Sequence, residues 1–210
     1  TGDRLDFSSE HFSFNLMTPN FTPPRLQGNP PPIHIAAVGP AMLRLAAREC
    51  DGVMLHSFCS RHYLTETILP LIEETLQQAG KHRSNFEISG GGFVITGSND
   101  EEVSKQFEWV RSRIAFYGST PAYWPVLEAS GQTGLGQELL ALSKIQSWDE
   151  MTRLIDDDLV YEFAAVGNHN SIAEAVADYF GGLTDSIAID PNTSADALSA
   201  IRQIPTGADQ

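Results

Sequence analysis

One run of eleven residues, from Pro30 to Pro40, constrains the fold more than any other part of the chain. It reads Pro-Pro-Pro-Ile-His-Ile-Ala-Ala-Val-Gly-Pro. The leading prolines exclude a helix and deliver the chain in an extended form, and the apolar run from Ile33 to Ala37 is typical of a short buried strand. Gly39 and the proline after it predict a tight turn into a helix, because proline suits the first helical position. Such a junction presents bare backbone N–H groups, where an anion can bind.

The rest of the chain repeats this alternation of strand and helix. Strands are predicted at 33–37, 53–56, 86–96 and 186–190, and helices from Pro40 to Cys50, at about 62–79, from Asn99 or Asp100 to Tyr117, from Ser171 to about Phe180 and from Ser194 onward. Apolar, β-branched strands of this kind are typical of a parallel sheet that is buried on both faces. Four such units are half of a (β/α)8 barrel. The alternative is a four-stranded parallel sheet covered on both faces.

The chain divides into three segments on the same reasoning. Residues 1–29 are irregular, with a short hairpin among them; residues 30–204 form a single (β/α) domain with a helical insertion at about 118–170; and residues 205–210 form a loose tail. Within the third strand, Gly90 to Gly92 predict either a bulge or a close approach of the backbone to another group. Ser171 to Glu174 has the pattern of a capping box.

Composition excludes several classes of function. The formal net charge of −14 argues against nucleic acid and anionic membrane surfaces as partners, since both require a basic face. No apolar run approaches the roughly 18 residues of a membrane span, and the polar N-terminus has no secretory pattern. We therefore expect a cytoplasmic protein that acts on a small molecule. Cys50 and Cys59 are expected to be reduced thiols. The first residue is Thr, which predicts a processed chain or a fragment.

The acidic run from Asp156 to Asp158 is the sequence's best candidate for metal ligation. A solvated helix end is the favoured interpretation, because no histidine or second carboxylate cluster stands at ligand spacing. No metal site is predicted.

Several stretches together resemble one known family. The segment from Pro31 to Ala47 and the following Asp51-Gly-Val resemble the bacterial luciferase-like monooxygenase superfamily, and most of all its branch that uses the deazaflavin coenzyme F420. Further matching stretches lie at 63–64, 68–72, 93–102, 114–123, 148–151, 155–158, 166–167 and 172–174. The resemblance covers nearly the whole chain from about residue 28.

The resemblance implies a fold and a cofactor. Members of this family are (β/α)8 barrels that transfer hydride or activate oxygen with FMN or F420, so the chain is expected to be an α/β half-barrel, the C-terminal part of such a barrel. Its cofactor is expected to be F420, with FMN as the alternative. The backbone of Ala37, Val38, Gly39, Pro40, Ala41 and Met42 would cradle the coenzyme phosphate. His56, at a strand end, is either a cofactor contact or a packed, hydrogen-bonded side chain.

The resemblance also implies what the chain lacks. The first strands of the family, which carry the acid/base His and much of the ring pocket in F420 enzymes, have no counterpart here, so no catalytic residue is assigned. An open half-barrel exposes sheet edges and predicts self-association, most simply as a homodimer. The alternatives to an oxidoreductase are a non-catalytic cofactor-binding or structural half-barrel and a truncated gene product.

The remaining candidates have two interpretations each. His34 is expected to be structural, and His11 and His62 to lie on the surface or in loops. Gly90 to Gly92 either clear space for an isoalloxazine-type ring or form a bulge. The aromatic residues from Tyr117 to Tyr123 either line a substrate pocket or pack in the core.

Overall fold

The computed structural model describes residues 4–22, 24 and 26–207, which fall into two compact units, Thr1–Pro32 and Ile33–Gln210. In the first unit, β1 (Phe7–Ser8) pairs antiparallel with β2 (Ser13–Phe14), and a single 3-10 turn follows at Pro19–Phe21. This confirms the short hairpin. The last residues of the predicted tail, 208–210, lie outside the described ranges.

A parallel sheet forms the centre of the second unit. It consists of β3 (His34–Ala37), β4 (Gly52–Leu55) and β5 (Glu87–Gly90), in that spatial order. The strands are in register, with Ala37 beside Leu55 and Leu55 beside Gly90. The parallel α/β architecture is therefore as predicted, with four-residue strands whose alternate side chains, among them Val53 and Ile88, are fully buried.

The strand predicted at 186–190 is reduced to a single parallel bridge between Ser89 and Ser186. Two flanking hydrogen bonds support it, from the Gly90 N–H to the Ser186 carbonyl and from the Asp185 N–H to the Ile88 carbonyl. The ladder stops there because β5 ends at Gly90, whose φ of 86° is left-handed. The prediction of a full strand was wrong, although the segment lies where that strand was expected.

Helices cover one face of the sheet. The first, α1 (Pro40–Glu49), begins with proline as predicted, and the helix predicted at 62–79 consists of α2 (Arg61–Tyr63), a π-helical turn (Leu64–Ile68) and α3 (Leu69–Gln78). Gly80 follows with a φ of 68°, the left-handed conformation in which glycine commonly ends a helix. The sequence pattern did not indicate the π-helical turn. Side chains of α1 and α3 pack with the strands in the main core, among them Leu43, Ala46, Ile72 and Leu76.

The strand predicted over 86–96 is two strands in two different sheets. After β5 the chain turns through Gly90, Gly91 and Gly92, and β6 (Phe93–Gly97) then pairs in parallel with β7 (Ala164–Asn168). A Cβ on Gly90 would lie 2.6 Å from the Leu55 carbonyl oxygen, and one on Gly92 would lie 2.6 Å from the Tyr179 ring. The glycines thus permit a close backbone approach, one of the two predicted alternatives. β7 itself was not predicted as a strand.

Beyond β6 the chain is mostly helical. The long helix α4 (Asp100–Gly118) starts at Asn99, whose side chain accepts the Glu102 N–H, and it buries Val110 and Ile114 in the core. The insertion contains α5 (Trp124–Ala129), α6 (Leu135–Lys144), α7 (Trp148–Arg153) and α8 (Asp157–Phe163). Asp156 caps α8 by accepting the Leu159 N–H, so the acidic run is a helix start, as expected.

Two helices complete the second unit, α9 (Ile172–Phe180) and α10 (Ala195–Ile201). Ser194 caps α10 by accepting the Ala197 N–H, as predicted. The capping box at the start of α9 is not formed, because the Ser171 side chain makes no cap hydrogen bond and its hydroxyl lies 3.5 Å from Asn168 oxygens instead. The Pro205 carbonyl accepts the Gly182 N–H. Within the described ranges, every helix is too short or too polar to cross a membrane.

Candidate functional site

The carboxyl ends of β3, β4 and β5 lie at one edge of the sheet. Because Ala37, Leu55 and Gly90 are in register, the residues that follow them, including Val38 and His56, emerge at that edge. Parallel strands in α/β proteins bind their ligands there, since the loops after the strands converge. The edge therefore brings together the residues predicted to bind a cofactor.

The N-terminus of α1 is open and uncapped. Gly39 is the N-cap residue in an extended conformation, Pro40 is the first helical residue, and no side chain caps the helix. No acidic residue occurs in its first turn, whereas α4 carries Asp100, Glu101 and Glu102 at the same point. No atom lies within 4 Å of where a Gly39 Cβ would stand. The N–H groups of Ala41 and Met42 have no intrahelical partner, as in every α-helix start.

These features fit a phosphate group. The N-terminal end of a helix carries a positive partial charge and directs its free N–H groups at an anion. In a chain of net charge −14, a helix whose first turn has no carboxylate repels an anion less than one that begins with acidic residues.

His56 is a neutral hydrogen-bond donor at the end of β4. Its Nδ1 accepts the Phe58 N–H at 2.9 Å, which leaves the ring proton on Nε2. Burial lowers the pKa of His56 below its ordinary value of 6.5, because desolvation disfavours the imidazolium. The ring packs against Tyr117 at 4.6 Å and Tyr123 at 5.3 Å between centroids. His56 is thus packed and hydrogen-bonded, with its Nε2–H available to an acceptor.

An open cavity of about 350 Å³ lies at the same edge of the sheet. Its wall combines Ser57, which follows His56, with Gly92 of the glycine turn, Trp109 of α4, and Ile189 and Asp190 of the segment after the bridge. The lining is mostly apolar with a few polar groups, as in sites that bind ring systems. The sequence reasoning pointed to the strand ends, among them His56-Ser57 and the region after Ile189, but it did not single out Trp109.

A second cavity of about 450 Å³ lies beside the ends of β6 and β7 and shares Gln106 and Asp190 with the first. Gln106 accepts the Thr96 N–H at 3.2 Å and donates to Asp190 at 3.3 Å. The sequence reasoning missed Gln106, since it lies within a helical stripe pattern and its partners are 10 and 84 residues away.

Of the other histidines, His169 lines the second cavity, whereas His34 lies away from this edge. His34 is at the opposite end of β3, where its Nε2 is 3.8 Å from a Glu87 carboxylate oxygen and its ring crosses above Gly52. This agrees with the expected structural role. His11 and His62 are exposed, as predicted. The Tyr117 and Tyr123 rings contact both His56 and Phe58, so they join the core to the candidate site.

The two cysteines are free and buried. Burial raises the pKa of the Cys59 thiol to about 12, so it is neutral and not a nucleophile. The described part of the chain contains no group of three or more His, Cys, Asp or Glu side chains that could hold a metal ion.

Parallel strands with an uncapped helix N-terminus and a cavity at their carboxyl edge are the arrangement with which parallel α/β proteins bind ligands. Sequence comparison gives the family: residues 1–186 match the family model of the luciferase-like monooxygenases. The chain belongs to this family.

Three similar proteins extend the comparison. An uncharacterized protein of Mycobacterium tuberculosis is 40% identical over 186 residues, which are 89% of this chain and 55% of that protein. An F420-dependent glucose-6-phosphate dehydrogenase of Nakamurella multipartita is 35% identical over 87 residues, 41% of this chain and 24% of that protein. The solved F420-dependent tetrahydromethanopterin reductase of Methanopyrus kandleri superposes with a TM-score of 0.61 at 21% identity, over 83% of this chain and 50% of that one.

These comparisons establish the fold as TIM-barrel-like, with parallel strands. They also show that the chain spans about half the length of the curated relatives it matches.

Proposed function

We propose that this chain is the phosphate-binding part of an oxidoreductase that transfers a hydride between a deazaflavin or flavin cofactor and a small organic substrate. F420 is the preferred cofactor and FMN the alternative. Support comes from the luciferase-like family and from its F420-dependent relatives. The proposal includes a cytoplasmic location, which suits a protein with two free thiols.

The observation that carries the proposal is the uncapped start of α1 at the carboxyl edge of the sheet. F420 and FMN both carry a phosphate group, and the backbone from Ala37 to Met42 offers N–H donors without a nearby carboxylate. Gly39 leaves the space beside these donors open. The residues present therefore fit the phosphate end of either cofactor.

When bound, F420 or FMN supplies the ring that accepts or donates the hydride. The chain's own groups would bind and orient it. The α1 N–H groups would hold the phosphate, the His56 Nε2–H would donate to a carbonyl oxygen or an anion, and the apolar wall formed by Phe93, Trp109 and Ile189 would exclude water.

Exchanging Gly39 tests the role of the α1 N-terminus. In Gly39→Asp, the carboxylate would cap the helix and occupy the N–H groups that phosphate needs. We expect its affinity for F420 or FMN, measured by fluorescence titration, to fall at least about tenfold, or roughly 1.4 kcal/mol. The melting temperature should stay equal or rise, because aspartate is a better N-cap than glycine.

Gly39→Ala is the matched control. The φ of −88° at Gly39 suits any residue and its surroundings are open, so alanine adds a methyl group without a cap or a charge. We expect this variant to bind nearly as tightly as the wild type. Equal affinities for all three proteins, or no binding of either cofactor below the millimolar range, would refute the proposed phosphate site.

A second candidate function, binding of the cofactor without turnover, is favoured by one observation. His56 lies at the carboxyl end of β4, where its Nδ1 is engaged and burial keeps it neutral, so it is a poor proton carrier. A protein that binds F420 but neither oxidises nor reduces it with any tested alcohol or aldehyde would support this candidate.

A further inference from the structure

We propose that the second cavity, beside the ends of β6 and β7, binds the substrate, and that this substrate is an uncharged molecule with several hydroxyl groups, a polyol or a sugar without a phosphate group. The proposal rests on the proposed function, since it takes the first cavity as the place of the cofactor ring. It deepens that function by naming the chemical class of the substrate.

The second cavity follows the first along the edge of the sheet. The strands lie in the order β3, β4 and β5, and the Ser89–Ser186 bridge adds residues 186–189 beside β5. The first cavity is bounded by the ends of these later strands, at Ser57, Gly92 and Asp190. The second adjoins it at Gln106 and Asp190, and none of its lining residues belongs to α1, β3 or β4. With the phosphate at α1 and the ring in the first cavity, a substrate that meets the ring has the second cavity beside it.

The lining of the second cavity is polar throughout. Among the described residues that line it, none has an aliphatic side chain larger than that of threonine, whereas the first cavity includes Phe93, Trp109 and Ile189. Its volume of about 450 Å³ is within the roughly 300–1,000 Å³ of small-molecule sites. An apolar substrate would take these polar groups out of water without replacing their hydrogen bonds, which is unfavourable. The cavity therefore selects a polar molecule.

Two polar groups at the junction of the cavities are held in fixed orientations. The Gln106 Oε1 accepts the Thr96 N–H at 3.2 Å and its Nε2 donates to the Asp190 carboxylate at 3.3 Å, which fixes the orientation of the amide. Asp190 also accepts the Asn192 N–H at 2.7 Å. These bonds leave one Nε2–H of Gln106 and further lone pairs of Asp190 for a ligand. A hydroxyl group suits both, because it accepts and donates.

The charges around the second cavity favour a neutral ligand. The Lys105 ammonium is paired with the Glu101 carboxylate at 2.7 Å. Glu102 accepts the Ser98 N–H at 2.7 Å and its hydroxyl at 2.8 Å, so this carboxylate is held at the cavity. Together with Asp190 it would repel a phosphate or a carboxylate group. A neutral hydroxyl group instead donates to either carboxylate.

Two buried hydroxyl groups in the wall of this cavity have no hydrogen-bond partner within the described part of the chain. They belong to Thr96 and Thr193, which are 2% and 6% exposed. Buried polar groups are nearly always satisfied, so an unpartnered one calls for an explanation such as a bound molecule or water. Thr96 lies in β6 and Thr193 just before α10, so the polar wall is incomplete on two sides. A ligand with several hydroxyl groups can complete both.

Titration of the ¹⁵N-labelled chain with sorbitol, without cofactor, tests the proposal. We expect saturable shifts of the Ser98, Gln106 and Asn192 amide signals at millimolar sorbitol, with the Gly39 signal unchanged. Sorbitol phosphate, which adds a negative charge, and hexanol, which lacks the further hydroxyl groups, should each bind at least about tenfold more weakly. Wild type that does not bind sorbitol, or that binds all three compounds equally, overturns the proposal.

Asp190→Asn tests the carboxylate at the junction. The amide keeps the shape of the side chain and can still accept the Asn192 N–H, but it loses the charge that a ligand hydroxyl meets. We expect its sorbitol affinity to fall at least about tenfold. Asp149→Asn, the same change at an exposed position in the first turn of α7, should bind sorbitol as the wild type does.

Equal sorbitol affinities of Asp190→Asn and the wild type overturn the proposal. So does saturable binding that shifts none of the cavity amides, and this wild-type measurement decides if the variant does not fold. Since no cofactor is present, these outcomes are independent of the Gly39 titrations. A chain that binds F420 or FMN but not sorbitol would refute the substrate class alone, and the proposed function would stand.

Discussion

The side chain of His56 is held in place by packing, and its imidazole is kept neutral by burial. Its Nδ1 accepts a backbone N–H two residues away, and its ring lies against Tyr117 and Tyr123. The sequence alone left a packed histidine and a ligand contact as alternatives, because the two tyrosines are 61 and 67 residues further along the chain. The observed contacts show a packed histidine. They leave the Nε2–H as the group that could donate to a ligand.

The lowered pKa of His56 predicts a pH dependence of stability. The unfolded chain, with an imidazole pKa of about 6.5, binds this proton more readily than the folded protein. The free energy of unfolding should therefore be fully present above that pH and fall as pH decreases through it. In His56→Asn, the amide oxygen can still accept the Phe58 N–H, and this part of the dependence should vanish.

Urea unfolding of both proteins between pH 7 and pH 5.5, a range of about 1.5 units around the histidine pKa, measures the difference. The other five histidines are common to both proteins and cancel in the comparison. The asparagine variant will be less stable at every pH, because it loses the ring contacts. The comparison is therefore made between the slopes of the free energy of unfolding against pH. Parallel pH profiles would contradict the assigned neutral state of His56.

At the scale of elements, much of the fold follows from local sequence. Pro40 opens α1, Asn99 caps α4, Ser194 caps α10 and Gly80 follows the end of α3, since each effect depends on residues within one or two turns. Local sequence could not predict that β5 and β6 belong to two different sheets. Gly90 to Gly92 resemble a bulge until their neighbours, Leu55 and Tyr179, are known, and β7 lies 71 residues from β6.

The glycine turn predicts a clear effect of Gly90→Ala. A left-handed alanine costs about 1–2 kcal/mol, and the added Cβ would stand 2.6 Å from the Leu55 carbonyl oxygen, so β4 and β5 must also shift. We expect the free energy of unfolding to fall by more than the conformational cost alone. Chemical denaturation measures this change.

Gly131→Ala is the matched control for that prediction. Gly131 has a φ of 78°, and no atom lies within 4 Å of where its Cβ would stand, so it isolates the conformational cost. Gly90→Ala should destabilise clearly more than Gly131→Ala. If the two variants lose equal stability, the close approach at Gly90 is not what requires glycine there.

At the scale of the whole molecule, the chain matches the family over about half of its relatives' length. Among the described strands, β3 pairs with β4, and Met54 on β4 is 54% exposed. The sequence predicted this half-barrel character through the family resemblance. It could not predict that the segment after Asp185 meets β5 through a single bridge, since this depends on the left-handed conformation at Gly90.

The central claim is that the backbone from Ala37 to Met42 holds the cofactor phosphate. Amide NMR spectra of the ¹⁵N-labelled protein during titration with F420, and separately with FMN, test it most directly. We expect the amide signals of Gly39, Ala41 and Met42 to shift first and furthest, with those of the α4 N-terminus, where Asp100 to Glu102 stand, unchanged. Saturable binding that leaves the Gly39, Ala41 and Met42 amides unshifted would contradict the claim.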